Sequence, residues 1–121
     1  MRVSPATTAP DAFAVHVRPA GTTVTATVHG ELDLTVADEL KAALAGALRL
    51  RPVPETLVVD LGAVAFLDSS AVHVLLAIHR RAVARGVRLV IAPAAPAVQR
   101  VFALCLVDDV LPFAGGPAPG G

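Results

Sequence analysis

Asp68, Ser69 and Ser70 are three consecutive polar residues in the stretch FLDSSAVHVLL, residues 66–76, of a chain that is otherwise 55% hydrophobic. Two hydroxyls beside a carboxylate suit two kinds of work. A serine oxygen before a helix accepts a hydrogen bond from a free backbone N–H one turn in, a cap worth about 1 kcal/mol. Alternatively, an activated serine is a nucleophile. The nucleophile reading finds no support nearby, because the surroundings read Leu67-Asp68-Ser69-Ser70-Ala71, without the flanking glycines of a strained nucleophile elbow. His73 lies three residues beyond Ser70 with nothing in the sequence to aim it at the hydroxyl, and His79 falls on an apolar stripe. One cap needs one hydroxyl, so the second serine and Asp68 exceed the structural requirement.

Other chemistries have weaker claims. His16, His29, His73 and His79 include no H-x-x-x-H or H-E-x-x-H pair, so the spacing assigns no metal site. Cys105, the single cysteine, is flanked by Leu104 and Leu106 and reads as a buried spectator thiol; no internal disulfide is open to the chain. The glycines are scattered singly or gathered near residue 121, not arranged as a phosphate loop, which argues against an intrinsic kinase or NTPase.

The elements that must carry these residues are set by composition and period. A chain of 121 residues suits one domain with one core. Aromatics are 3% with no Trp or Tyr, so Val, Leu, Ile and Ala must fill that core and base-stacking platforms are scarce. Ten basic residues balance ten acidic ones with no basic run, which excludes nucleic acid and anionic membranes as expected partners. No apolar run approaches the roughly 20 residues of a membrane span, and residues 1–11 lack the apolar core of a signal peptide; a cytoplasmic protein without membrane insertion is expected.

Phe13, Val15 and Val17 alternate, as do Val24, Ala26 and Val28, and RPAGT between them predicts a hairpin loop. Thr35 and Asp38 form a T-x-x-D capping pattern before a helix over about Val36 to Leu48. TLVVDL, residues 56–61, reads as a strand covered on both faces. Val72, Leu75, Leu76, His79, Ala82 and Val83 share one face of a second helix that Gly86 ends. VRLVI, residues 87–91, is a further strand. Pro96 opens a third helix with Val98, Val101, Phe102 and Cys105 inward, and VLPF, residues 110–113, a last edge strand. Alternating strands and helices predict an α/β domain with a mostly parallel sheet, an N-terminal hairpin and helices packed against it. The domain is expected over residues 13–113, between flexible tails at 1–12 and 114–121.

These residues carry a resemblance. TLVVDLGAVAFLDSSAVHVLL, residues 56–76, is similar to the central segment of the STAS domain, the module of bacterial anti-sigma factor antagonists. GELDLTVADEL, residues 30–40, and PAVQRVFALCLVDDVLPF, residues 96–113, resemble two further segments of that family in the same order. The resemblance implies that Ser70, second of the serine pair, is the phosphoacceptor. It also implies that Asp33, Asp68, Ser69 and Ala71 shape the phosphorylation or partner-binding site. The implied function is non-enzymatic: the unphosphorylated protein binds an anti-sigma factor serine kinase and releases a sigma factor, phosphorylation ends the binding, and a serine phosphatase restores it. No cofactor is expected on this chain, since ATP and Mg²⁺ would belong to the kinase. The alternative is a non-switching scaffold subunit of a stress-signalling or lipid-transport assembly. Three departures stand out: Ala71 replaces a common glycine, Cys105-Leu106 a common Gly-Leu, and AGGPAPGG leaves the family's terminal helix without a counterpart.

Overall fold

The protein is described here by a computed structural model covering residues 12–92, 96–104 and 111. Its elements are β1 (Ala14–Ala20), β2 (Thr23–Leu32), a 3-10 turn (Leu34–Val36), α1 (Ala37–Leu48), β3 (Thr56–Leu67), α2 (Ser69–Arg85), β4 (Arg88–Ala92) and α3 (Pro96–Leu104). The strands lie in the order β1-β2-β3-β4. β1 pairs antiparallel with β2, and the β2–β3 and β3–β4 pairs are parallel. The expected α/β architecture with an N-terminal hairpin is therefore the observed one. The hairpin turn is tighter than RPAGT implied: β1 runs through Pro19 to Ala20, and only Gly21, at φ 62°, and Thr22 lie between the strands. Proline is tolerated there because β1 is an edge strand, so its missing N–H interrupts no ladder on the outer side.

One core holds the layers together. The inner face of the sheet contributes Val24, Ala26, Val28 and Leu32 from β2, Leu57, Val59, Leu61, Val64 and Leu67 from β3, and Leu89 and Ile91 from β4. Leu40, Leu44, Ala47 and Leu48 of α1, Val72, Leu75, Ile78 and Ala82 of α2, and Val98 and Phe102 of α3 join the same cluster, which packs aliphatic groups and one phenyl ring as the composition required. Val83 does not join it: the side chain is 65% exposed, because the buried stripe of α2 runs through Val74 and Ile78 to Ala82 and leaves Val83 beyond its edge.

β3 is twice as long as TLVVDL alone suggested. Alternation stops at Leu61, after which the buried positions are Val64 and Leu67, three apart. Two register shifts against β2 account for this, each inserting one extra β3 residue, between the pairs Thr27↔Asp60 and His29↔Ala63 and again between Gly30↔Val64 and Glu31↔Phe66. Bulges break the period of two that identifies a strand in sequence. Gly30, at φ 100°, adopts backbone angles opposite these bulges that a side chain would resist. The Val110–Phe113 strand, Cys105, residues 114–121 and nearly all of the N-terminal tail lie outside the described residues; Leu111 is described and buried.

Candidate functional site

β2 and β3 run parallel, so their C-terminal ends meet at one edge of the sheet, where Leu32 pairs with Leu67. The Asp68 N–H donates to the Leu32 carbonyl at 3.1 Å, tying the two strand-to-helix junctions together. Asp33 and Asp68, far apart in sequence, thereby become the first residues past two neighbouring strand ends. Each caps the turn or helix after it in the same way, with extended backbone at φ −114° and −118°. Asp33 Oδ1 accepts from the Thr35 N–H at 3.0 Å and from the Thr35 hydroxyl at 2.5 Å. Asp68 Oδ1 accepts from the Ser70 N–H at 2.9 Å and from the Ser70 hydroxyl.

This geometry reassigns both caps. The T-x-x-D pattern of Thr35 and Asp38 does not cap α1; Val36 precedes that helix without a side-chain cap, and Asp33 caps the 3-10 turn before it. Thr35 donates instead of accepting. At α2 the cap is Asp68, so neither serine is consumed by the structural task. Ser69 is exposed and Ser70 half-buried in the first turn. Ala71 points the other way, 1% exposed in the core, where its methyl seats the first turn of α2 against the sheet.

The site is electrostatically simple. The Thr35 hydroxyl hydrogen bond, backed by the backbone N–H groups of Thr35 and Val36, outweighs desolvation and holds the Asp33 carboxyl below its ordinary 3.8. Among the described residues no group of three or more His, Cys, Asp or Glu is arranged to hold a metal. Asp68 is placed to orient the Ser70 oxygen and to receive its proton as that oxygen attacks an electrophile. The N-terminal end of α2, with free N–H groups and the positive end of the helix dipole, favours a negative group in the same place.

Two residues that sequence reading missed flank the caps. Leu34 is 75% exposed directly after Asp33, and Phe66, two residues before Asp68, is 49% exposed. Large apolar side chains beside a polar cluster form the kind of surface a protein partner covers. Their signal in the sequence was faint: Leu34 interrupts a polar stretch, and Phe66 lies where strand alternation has already failed.

Comparison with known proteins bears on the fold and the family. The STAS domain profile matches residues 14–115. The crystal structure of an anti-sigma factor antagonist from Mycobacterium paratuberculosis shares 28% identity at a TM-score of 0.76, covering 87% of each chain. SpoIIAA, an anti-sigma factor antagonist, is similar in fold in its unphosphorylated form, with 24% identity and a TM-score of 0.69 over 84% of this chain and 88% of that one. The Bacillus cell fate determinant SpoIIAA in its phosphorylated form gives 23% identity and a TM-score of 0.62, over 85% and 91%. No curated protein sequence matched the chain. With its profile spanning most of its length and its Asp-Ser-Ser junction at the sheet edge, the chain belongs to the STAS domain family.

Proposed function

We propose that the protein is an anti-sigma factor antagonist switched by phosphorylation of Ser70. Unphosphorylated, it binds an anti-sigma factor serine kinase in the cytoplasm and frees a sigma factor for transcription. The kinase then transfers a phosphoryl group from its own Mg²⁺-ATP to Ser70, and a serine phosphatase reverses the step. The observation that carries this reading is the Ser70 hydroxyl held by Asp68 in a first helical turn whose cap is already supplied. The antagonist neighbour from Mycobacterium paratuberculosis supports the antagonist part of this reading.

The physical consequence is local. A phosphate adds about −1.5 to −2 charges beside Asp68 and Asp33 and makes the contact surface strongly anionic. The N-terminus of α2 accommodates that charge, so the fold persists while the interface is lost. The chain acts as a binding module; the partner supplies ATP and Mg²⁺ and transfers the phosphoryl group, while Asp68 orients the Ser70 oxygen and takes its proton.

The test uses wild type, Ser70→Ala and Ser70→Glu as baits in a lysate of the source cell, after all three show the same thermal midpoint. Wild type and Ser70→Ala should hold a kinase-like ATPase, identified by mass spectrometry, and Ser70→Glu should release it. If all three hold the same partners, the switch is refuted and the protein is a scaffold subunit.

A further inference from the structure

A second cluster lies away from the caps, on the sheet face opposite the core. In the β1–β2 ladder, Ala14 pairs with His29 and His16 with Thr27, so His16 and His29 are diagonal neighbours on one face. Their ring centroids are 5.3 Å apart with the planes at 84°. His16 is exposed and His29 half-buried. Neither makes a hydrogen bond to another described residue, so among the described residues the four ring nitrogens have no hydrogen-bond partner.

That spacing has a chemical meaning. Imidazole nitrogens bind Zn²⁺ at about 2.0–2.1 Å, and two such rings at a tetrahedral angle place their centres about 5.2 Å apart. The observed 5.3 Å separation meets this distance, and turning a ring about its Cβ–Cγ bond leaves its centre in place while changing where its nitrogens point. We propose that His16 and His29 form a two-histidine site for a borderline divalent metal ion, Zn²⁺ or Cu²⁺, that clips edge strand β1 to β2. With no third protein ligand among the described residues, water completes the coordination. Nearby, Thr27 faces His16 across the ladder, and the Asp60 carboxylate beyond it is engaged by the Gly62 N–H at 2.9 Å. Nitrogen ligands exclude Mg²⁺ and Ca²⁺, which demand oxygen, and the general order of stability places Cu²⁺ above Zn²⁺.

The site is legible only in the fold, because the two histidines are brought together by the Gly21-Thr22 turn and not by any short spacing. It is independent of the Ser70 reading, and its test needs no kinase. The full chain is titrated with Zn²⁺, and separately with Cu²⁺ and Mg²⁺, by isothermal calorimetry, with thermal unfolding followed in parallel. One Zn²⁺ per chain should bind with a dissociation constant on the order of micromolar, Cu²⁺ more tightly, Mg²⁺ not at all, and metal should raise the unfolding midpoint. His16→Ala and His16→Gln, and the same two changes at His29, should each weaken Zn²⁺ binding by roughly tenfold or more. Exposed His73→Ala on α2 should leave it unchanged. Matching metal-free midpoints exclude misfolding as the cause. Absence of saturable binding, binding that survives in the His16 and His29 variants, or one ion shared between two chains would each overturn the proposal.

Discussion

Asp68, rather than either serine, caps α2, and this division of labour sets what each substitution should do. Asp68→Ala removes the acceptor of the Ser70 N–H and should cost about 1 kcal/mol, read as a lower thermal midpoint. Asp68→Asn keeps a good cap while removing the charge, so its midpoint should stay near wild type. Both should slow phosphate incorporation at Ser70, because neither offers a carboxylate to the departing proton. A midpoint loss without slower incorporation would make Asp68 purely structural. Asp33 carries a pH signature. Its folded carboxyl titrates below the ordinary 3.8, so its stabilisation is fully present at neutral pH and is lost as pH falls below about 3.8 through the folded value. Asp33→Asn should therefore flatten the midpoint-versus-pH curve below about pH 4 and leave its shape near pH 7 unchanged.

At the scale of elements, the ends of α2 explain its position. The helix stops at Gly86, whose φ of 73° lets its N–H reach the carbonyls of Ala82 and Val83. A Cβ placed there would meet nothing within 4 Å, so any penalty for Gly86→Ala is backbone strain and not collision. That substitution should cost about 1 kcal/mol in chemical denaturation with an unchanged slope, since the surface exposed on unfolding is the same. The bulges in β3 act at the other end of the same unit. By adding two residues against β2 they carry Leu67 level with Leu32, and so set Asp68 beside the Asp33 junction.

Among the described residues several charges sort toward the two ends of the strands, although the formal net charge is zero. β2, β3 and β4 run one way and α1 and α2 return, so Glu31, Asp33, Asp38, Glu39 and Asp68 gather where these helices begin. Arg49, Arg51, Arg85 and Arg88, all exposed, lie at the opposite end together with Glu55, whose carbonyl accepts from the Arg88 N–H at 2.8 Å. Carboxylates at helix N-termini and guanidiniums at C-termini each complement the helix dipoles. The acidic end includes Ser70, so a partner with a basic surface would be steered toward it. The association rate with the proposed kinase partner should fall about tenfold from low to physiological salt, measured by stopped-flow. Asp38→Lys should lower that rate, and Arg85→Glu, at the far end, should leave it within about twofold.

Local sequence determined the kinds of elements, the composition of the core and the junction that bears Ser70, because apolar period and turn chemistry act over a few residues. Gly86 as a helix stop and the apolar stripe of α2 were readable for this reason, with Val83 as the exception. The tertiary structure decided what depends on strand register. It placed Asp33 beside Asp68, lengthened β3 through bulges that erase alternation, exposed Leu34 and Phe66 beside the caps, and paired His16 with His29. Register is a long-range property, set by which strands meet in the shared core, and no short window of residues contains it.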